Sequence, residues 1–163
     1  MIDTTTPAGA IFSECRNYRY VLWRRWNSNL PMILFICLNP SKANEYQNDN
    51  TIRRLISFSR KWNYGGFYIC NLFALCSTDP KEIKKSIQPI EALGDSNDSH
   101  IKKFGELSDE IVFAWGNDGK IHNRSQEIIK IFPKAYCFTK TMSGQPRHPL
   151  YVSGDQPLRK FTL

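Results

Sequence analysis

Two short islands carry side chains that can do chemistry, Cys37-Leu38-Asn39-Pro40-Ser41 and Arg147-His148-Pro149-Leu150-Tyr151. Each lies just past or beside an apolar run, where a polar side chain can be held rigidly at the mouth of a sheet. An Asn amide can orient a water but cannot accept its proton, whereas a neutral imidazole can donate to a departing oxygen anion without titrating. Asn39 and His148 facing one crevice would form a catalytic pair that works by positioning and electrostatics. Asn71 closes another apolar run and offers a donor and an acceptor together, as reading a base requires. Asp49 supplies a carboxylate not far from the first island, although its simplest role is to cap a helix. Plainer roles exist for the others too. Asn39 before Pro40 can form a turn by bonding its own backbone, Asn71 can cap the following segment, and His148 can be an ordinary loop histidine. His100 and His122 have no patterned partners and are expected to be solvated.

The elements that must position these residues are legible as apolar runs. Residues 18–26 read as a strand ending at the turn Asn27-Ser28-Asn29, and 32–38 as a central strand buried on both faces. A helix capped by Asp49 or Asn50 carries Ile52, Leu55, Ile56, Ser59 and Trp62 on one face, with Arg53 and Arg54 mostly on the other, and ends at Gly65-Gly66. Strands follow at 67–73, 110–116 and 135–139. Helices are expected from Asp79-Pro80-Lys81-Glu82, over 97–107, and through Ile121, Ile128, Ile129 and Ile131. This order predicts a three-layer α/β/α sandwich around a mainly parallel four-stranded sheet, preceded by a hairpin-like N-terminal segment. In such sheets the crevice lies beyond the carboxyl ends of the strands, so Asn39, Asn71, Trp115-Gly116-Asn117 and His148 should gather at one end.

Composition bounds the rest. A chain of 163 residues suits one domain, read here over residues 1–163. No apolar stretch approaches the roughly 20 residues a bilayer span needs, and Met1-Ile2-Asp3-Thr4-Thr5-Thr6 lacks the pattern of a secretory signal. Five cysteines without a Cys-x-x-Cys pair suggest neither a disulfide framework nor a metal site, so a cytoplasmic protein without metal or cofactor, assumed monomeric, is expected. A net charge of +7 favours a polyanionic partner. Arg16, Arg19, Arg24 and Arg25 alternate with Tyr18, Tyr20, Trp23 and Trp26, an interleaving that can hold phosphates and stack on bases. Arg19, Arg24, Arg25, Arg53 and Arg54 are the nucleic-acid-binding candidates. The competing role for the first segment is a hairpin with aromatics in the core and arginines outside.

In the same order, the Leu-Asn-Pro strand end, the strand ending at Asn71, Val-Phe-Ala-Trp-Gly and the late His-Pro-Leu resemble the motifs of the uracil-DNA glycosylase superfamily over roughly residues 32 to 151. The chain departs from that pattern at Cys37 and Ser41, where glycine stands in glycosylases, and at Leu150-Tyr151, where many carry a Ser-containing loop. The whole chain also resembles a bacterial and phage family known as a domain of unknown function, through Arg-Tyr-x-Leu-Trp-Arg-Arg-Trp, Leu-Asn-Pro-Ser, Asp-x-Thr-x-Arg-Arg, Asn-Leu-Phe-Ala and Pro-Arg-His-Pro-Leu-Tyr. The first resemblance implies a glycosylase-like fold and hydrolysis of the N-glycosidic bond of a flipped base in nucleic acid, with DNA as the expected partner. It implies Asn39 as the water-positioning residue and His148 as the stabiliser of the leaving base. Pro40, Ser41, Asp49, Asn71 and Arg147 are then expected at the substrate, with Tyr46 or Phe73 stacking on the base. The alternative is a noncatalytic nucleic-acid or nucleotide-binding protein that retains the fold.

Overall fold

Residues 32–37 are apolar at every position, and they form the buried strand β3 (Met32–Cys37) in the middle of a seven-stranded sheet. The computed structural model describes residues 6–41, 43–85 and 93–162. In it β3 pairs in parallel with β4 (Gly66–Asn71) on one side and β5 (Glu110–Phe113) on the other. β6 (Tyr136–Cys137) continues the parallel set beyond β5. Antiparallel strands finish both edges. β2 (Arg19–Arg25) joins β4 and then β1 (Ala8–Phe12), while β7 (Arg159–Lys160) joins β6, giving the order β1-β2-β4-β3-β5-β6-β7.

A strand with no polar position needs a core on both faces, because successive side chains point opposite ways. Met32, Leu34 and Ile36 enter one core, and Ile33, Phe35 and Cys37 the other. The first core is covered by α3 (Asn97–Glu106) through Ile101 and Phe104, by α4 (Arg124–Ile131) through Ile128 and Ile129, and by Ile83 of the short α2 (Pro80–Lys85). The second is covered by α1 (Asn50–Lys61), whose Ile52, Leu55 and Phe58 pack with Phe35, Phe67 and Phe138. Helices therefore lie on both faces of the sheet. No helix among the described residues is long and apolar enough to cross a membrane.

The sheet is larger than the four strands and hairpin-like segment expected from sequence. β1 and β7 are edge strands: β1 is apolar but opens on Ala8-Gly9-Ala10, residues that do not favour strands, and β7 has only two residues, both charged. The expected strand over 67–73 stops at Asn71 because Leu72 and Phe73 turn their N–H groups onto the carbonyls of Cys37 and Leu38, at 2.9 and 3.0 Å. The strand expected over 110–116 stops at Phe113, and that over 135–139 shrinks to two residues. Helix through Ile121 does not form. Residues 117–123 make a kinked 3-10 segment in which His122 and Asn123 take φ of 52° and 58°, and regular helix begins at Arg124. Gly65 and Gly66 do not end α1, which stops at Lys61. They admit a close approach instead, since a Cβ would lie 2.0 Å from the Asn27 carbonyl oxygen at Gly65 and 2.4 Å from that of Arg24 at Gly66. His100 is not solvated: it stacks on Tyr20 with centroids 4.9 Å apart, and its Nδ1 lies 2.7 Å from the Ser96 carbonyl oxygen. The stretch before Thr6, read above as unlike a secretory signal, lies outside the described residues.

Candidate functional site

The chain leaves β3 to form β4 on one side and later places β5 on the other. Connections therefore diverge at the carboxyl end of β3 and open a crevice there. That crevice is a cavity of about 770 Å³, a volume in the range of small-molecule sites. It collects residues from separate segments of the chain. Asn39 and Ser41 follow β3, Asp49 caps α1, Asn71 ends β4, Trp115 and Gly116 follow β5, Arg147 and His148 come from the late loop, and Arg19 begins β2.

Asn39 is anchored by its own amide. Its Nδ2 donates to the Pro40 carbonyl at 3.1 Å and to the Ser77 carbonyl at 2.9 Å. Both amide hydrogens are thus engaged, and the group left to act at the cavity is the Oδ1 acceptor. Asn71 is the opposite case. It is 1% exposed, its register partner is Cys37, and its side-chain Nδ2 is buried with no hydrogen-bond partner. A buried donor without an acceptor costs free energy, so this nitrogen is poised for an acceptor that enters the cavity. Helix α3 fixes the strand end by the Asn97 Nδ2 bond to the Asn71 carbonyl at 3.0 Å.

His148 is held by a loop sewn to two elements. Trp115 Nε1 donates to Gln145 Oε1 at 2.9 Å, Gly116 N–H to the Pro146 carbonyl at 2.8 Å, and Arg147 N–H to the Thr139 carbonyl at 2.9 Å. From α1, Arg54 Nε donates to the Pro149 carbonyl at 3.3 Å and its Nη2 to the Val152 carbonyl, while its guanidinium lies 4.9 Å over the Phe58 ring. His148 Nδ1 accepts from Leu150 N–H at 3.3 Å, which leaves the proton of the neutral ring on Nε2. Burial pulls its pKa below the ordinary 6.5, with the Asp49 carboxylate opposing that pull, so the ring is a neutral donor at pH 7.

Asp49 has one oxygen in the helix cap, Oδ1 accepting from Ile52 N–H at 2.9 Å, and the carboxylate also lines the cavity. Cys37 lines it as well. Burial pushes this thiol up to about 12, so no thiolate nucleophile stands there. Among the described residues no cluster of His, Cys, Asp or Glu has the arrangement of a metal site.

The arginines are placed differently from one another. Arg53 is exposed, with Nη1 donating to Asn50 Oδ1 at 3.2 Å. Arg25 is half-buried. Arg24 is buried, and its guanidinium holds the loop before α1 by bonds to Asn48 Oδ1 at 2.9 Å and the Asn44 carbonyl at 2.7 Å, with a third bond to the Trp23 carbonyl of its own strand at 2.8 Å. Arg54 is occupied with the His148 loop, and Arg19 points inward to the cavity. Neither arrangement weighed for the first segment describes it, because the aromatics and two of the arginines of β2 are buried together. Of the two stacking candidates, Phe73 is fully buried in a core and Tyr46 is 87% exposed, outside the residues lining the cavity. Pro40, expected at the substrate, is buried and is not among the residues that line the cavity. Sequence reasoning missed the inward course of Arg19 and the loop-holding role of Arg54. The second had a signal, a cation one helical turn before the apolar Phe58.

No curated protein matches the chain, and no solved structure does. A family profile does match, over residues 19–150, a span that runs from the first residue of β2 through the His148 loop. The chain belongs to the family described as "Protein of unknown function (DUF1643)".

Proposed function

We propose that the protein hydrolyses the N-glycosidic bond of a nucleobase held in this cavity. The observation that carries the reading is that Asn39, Asp49, Asn71 and His148, from four separate segments, line one cavity at the carboxyl ends of the parallel strands. In the proposed reaction a water oxygen attacks C1′ of the sugar. The C–N bond breaks with its electron pair passing to the base, and the water proton goes to Asp49. Asn39 Oδ1 accepts from that water and aims it, a role compatible with an amide whose Nδ2 is already anchored. His148 donates from Nε2 to the base oxygen on which negative charge gathers, and it remains neutral throughout. The unpartnered Asn71 Nδ2 donates to the base and is satisfied by it.

The motif resemblance to uracil-DNA glycosylases supports the same assignment, with a flipped base in DNA as the expected substrate and a glycosylase-like arrangement of the three layers. A second reading draws on one observation. The Asn39 bonds to Pro40 and Ser77 are also those of a turn former, which favours a noncatalytic nucleic-acid or nucleotide-binding protein that keeps the fold. The two separate in one experiment. Nucleosides, nucleotides and oligonucleotides carrying uracil, deaminated, alkylated and other modified bases are incubated with the protein, and free base is followed by chromatography. Release from at least one class, lost in His148→Ala, is expected. No release from the whole panel would leave the noncatalytic reading.

A further inference from the structure

Arg19 stands at the cavity for a topological reason. β2 runs antiparallel to β4, so its first residue reaches the sheet end where the parallel strands finish, and Arg19 N–H donates to the Ala74 carbonyl at 2.9 Å. The residue is 3% exposed and its side chain lines the cavity. One bond holds the guanidinium, from Nη1 to the Ala43 carbonyl, and Nε is buried without a hydrogen-bond partner.

Two other buried arginines in the same molecule show how burial of this group is compensated: Arg24, 8% exposed, fills Nε, Nη1 and Nη2 with neutral oxygens, and the other pairs with carboxylates. Arg124 has a side chain equally withdrawn from solvent, and it pairs with both Asp98 and Glu127. Among the described residues Arg19 has no carboxylate within ion-pair distance. A buried cation without a counter-ion is costly, and nearby opposite charge is the usual remedy. The cavity also holds Arg147, whose guanidinium bonds no described residue, and the orphan Nδ2 of Asn71. Against these stand two carboxylates on the lining, Asp49, which caps α1, and Asp118, which is paired with Lys84 at 2.9 Å. The balance favours a ligand that brings negative charge.

We propose that the cavity takes a mononucleotide whose terminal phosphate seats on the buried Arg19 guanidinium. The proposal rests on the nucleobase reading for the base, adds the anionic group, and puts a free mononucleotide in place of a flipped base in DNA as the ligand. The planar fork of a guanidinium matches phosphate oxygens in pairs. A terminal phosphate has one continuation, whereas a phosphodiester inside a strand has two and cannot be enclosed around a nearly inaccessible arginine without both of them entering. Two arginines that could have tracked a polymer outside, Arg24 and Arg54, are engaged with the protein's own carbonyls.

The test is calorimetric, on the unaltered protein. Each common nucleoside is compared with its 5′-monophosphate, alongside inorganic phosphate and a single-stranded hexanucleotide without terminal phosphates. Monophosphates are expected to bind about tenfold or more tightly than their nucleosides, the scale of a charge-assisted pair. They should also bind more tightly than the hexanucleotide, and inorganic phosphate should raise the Tm. Arg19→Gln should erase the phosphate preference at unchanged nucleoside affinity, and Arg19→Lys should keep part of it. Equal affinity for nucleoside and monophosphate, tighter binding of the hexanucleotide, or no binding of any monophosphate would overturn the proposal, whether or not the Arg19 variants fold. Base release is read separately. A clear preference for monophosphates with no base released from any member of the panel sinks hydrolysis alone, and base release from nucleosides with no preference for phosphate sinks the phosphate site alone.

Discussion

Asn39 and Asp49 divide a task that neither performs alone, since the amide can orient a water but has no basicity and the carboxylate has basicity but also a structural duty. Removing either, or His148, should therefore slow single-turnover base release by roughly ten to ten-thousand fold while ligand affinity changes little, the range for losing one positioned group. Full activity in both Asn39→Ala and His148→Ala would place the chemistry elsewhere. His148 carries a second, pH-linked expectation. Its folded pKa lies below the ordinary 6.5, so the unfolded chain takes up a proton before the folded one does. The stability contributed by the neutral ring is complete above about pH 6.5 and is lost as pH falls towards the lowered folded value. Tm measured across this interval should fall more in the unaltered protein than in His148→Gln, and parallel curves would show that the ring is not buried in its neutral form.

At the scale of elements, α1 joins stability to function through its cap, because Asp49 both accepts from Ile52 N–H and faces the cavity. Asn caps helices about as well as Asp, so Asp49→Asn should keep the Tm while losing the carboxylate chemistry. Asp49→Ala should also lose about 1 kcal/mol of stability. Equal Tm losses for Asn and Ala, measured by thermal unfolding, would mean that the carboxylate charge rather than the cap holds this end of the helix. The elements themselves differ in how plainly sequence announces them. β3 is apolar throughout, and β4 and β5 are apolar apart from the terminal Asn71 and Glu110, because both faces are covered, and such runs are legible; so is α1, with its cap and one apolar face. β1 and β7 pair at edges, where little burial is demanded, and β6 has two residues, so their periodicity carries no signal. The gathering of Asn39, Asn71 and His148 followed from the rule for strand ends and needed no contact information. The direction of Arg19 was illegible, since a strand arginine is by default solvent-facing and only the antiparallel placement of β2 turns it to the cavity.

Across the whole molecule, the net charge of +7 says less about where a polyanion lies than the count of free guanidiniums does. The expected interface included Arg19, Arg24, Arg25, Arg53 and Arg54, yet Arg24 is buried among carbonyl and amide oxygens, while Arg53 is open to solvent. A phosphate of a single strand neutralised at the surface releases counterions and steepens the dependence of binding on salt by about 0.7 per contact. Arg24→Ala should therefore leave the salt slope for a single-stranded oligonucleotide unchanged while lowering the Tm, because it removes the bonds that tie the half-buried Asn44 and Asn48 of the loop before α1 to β2, each worth about 0.5–1.5 kcal/mol. Arg53→Ala should do the reverse, reducing the slope by about 0.7 at unchanged Tm, and an unchanged slope would show that the solvent face of α1 does not meet the strand. The comparison is made by fluorescence anisotropy between low and moderate salt on proteins verified as folded. A reduced slope in Arg24→Ala with no loss of stability would mean that the loop before α1 opens to present that guanidinium, and the phosphate track would then have to be drawn through β2 after all.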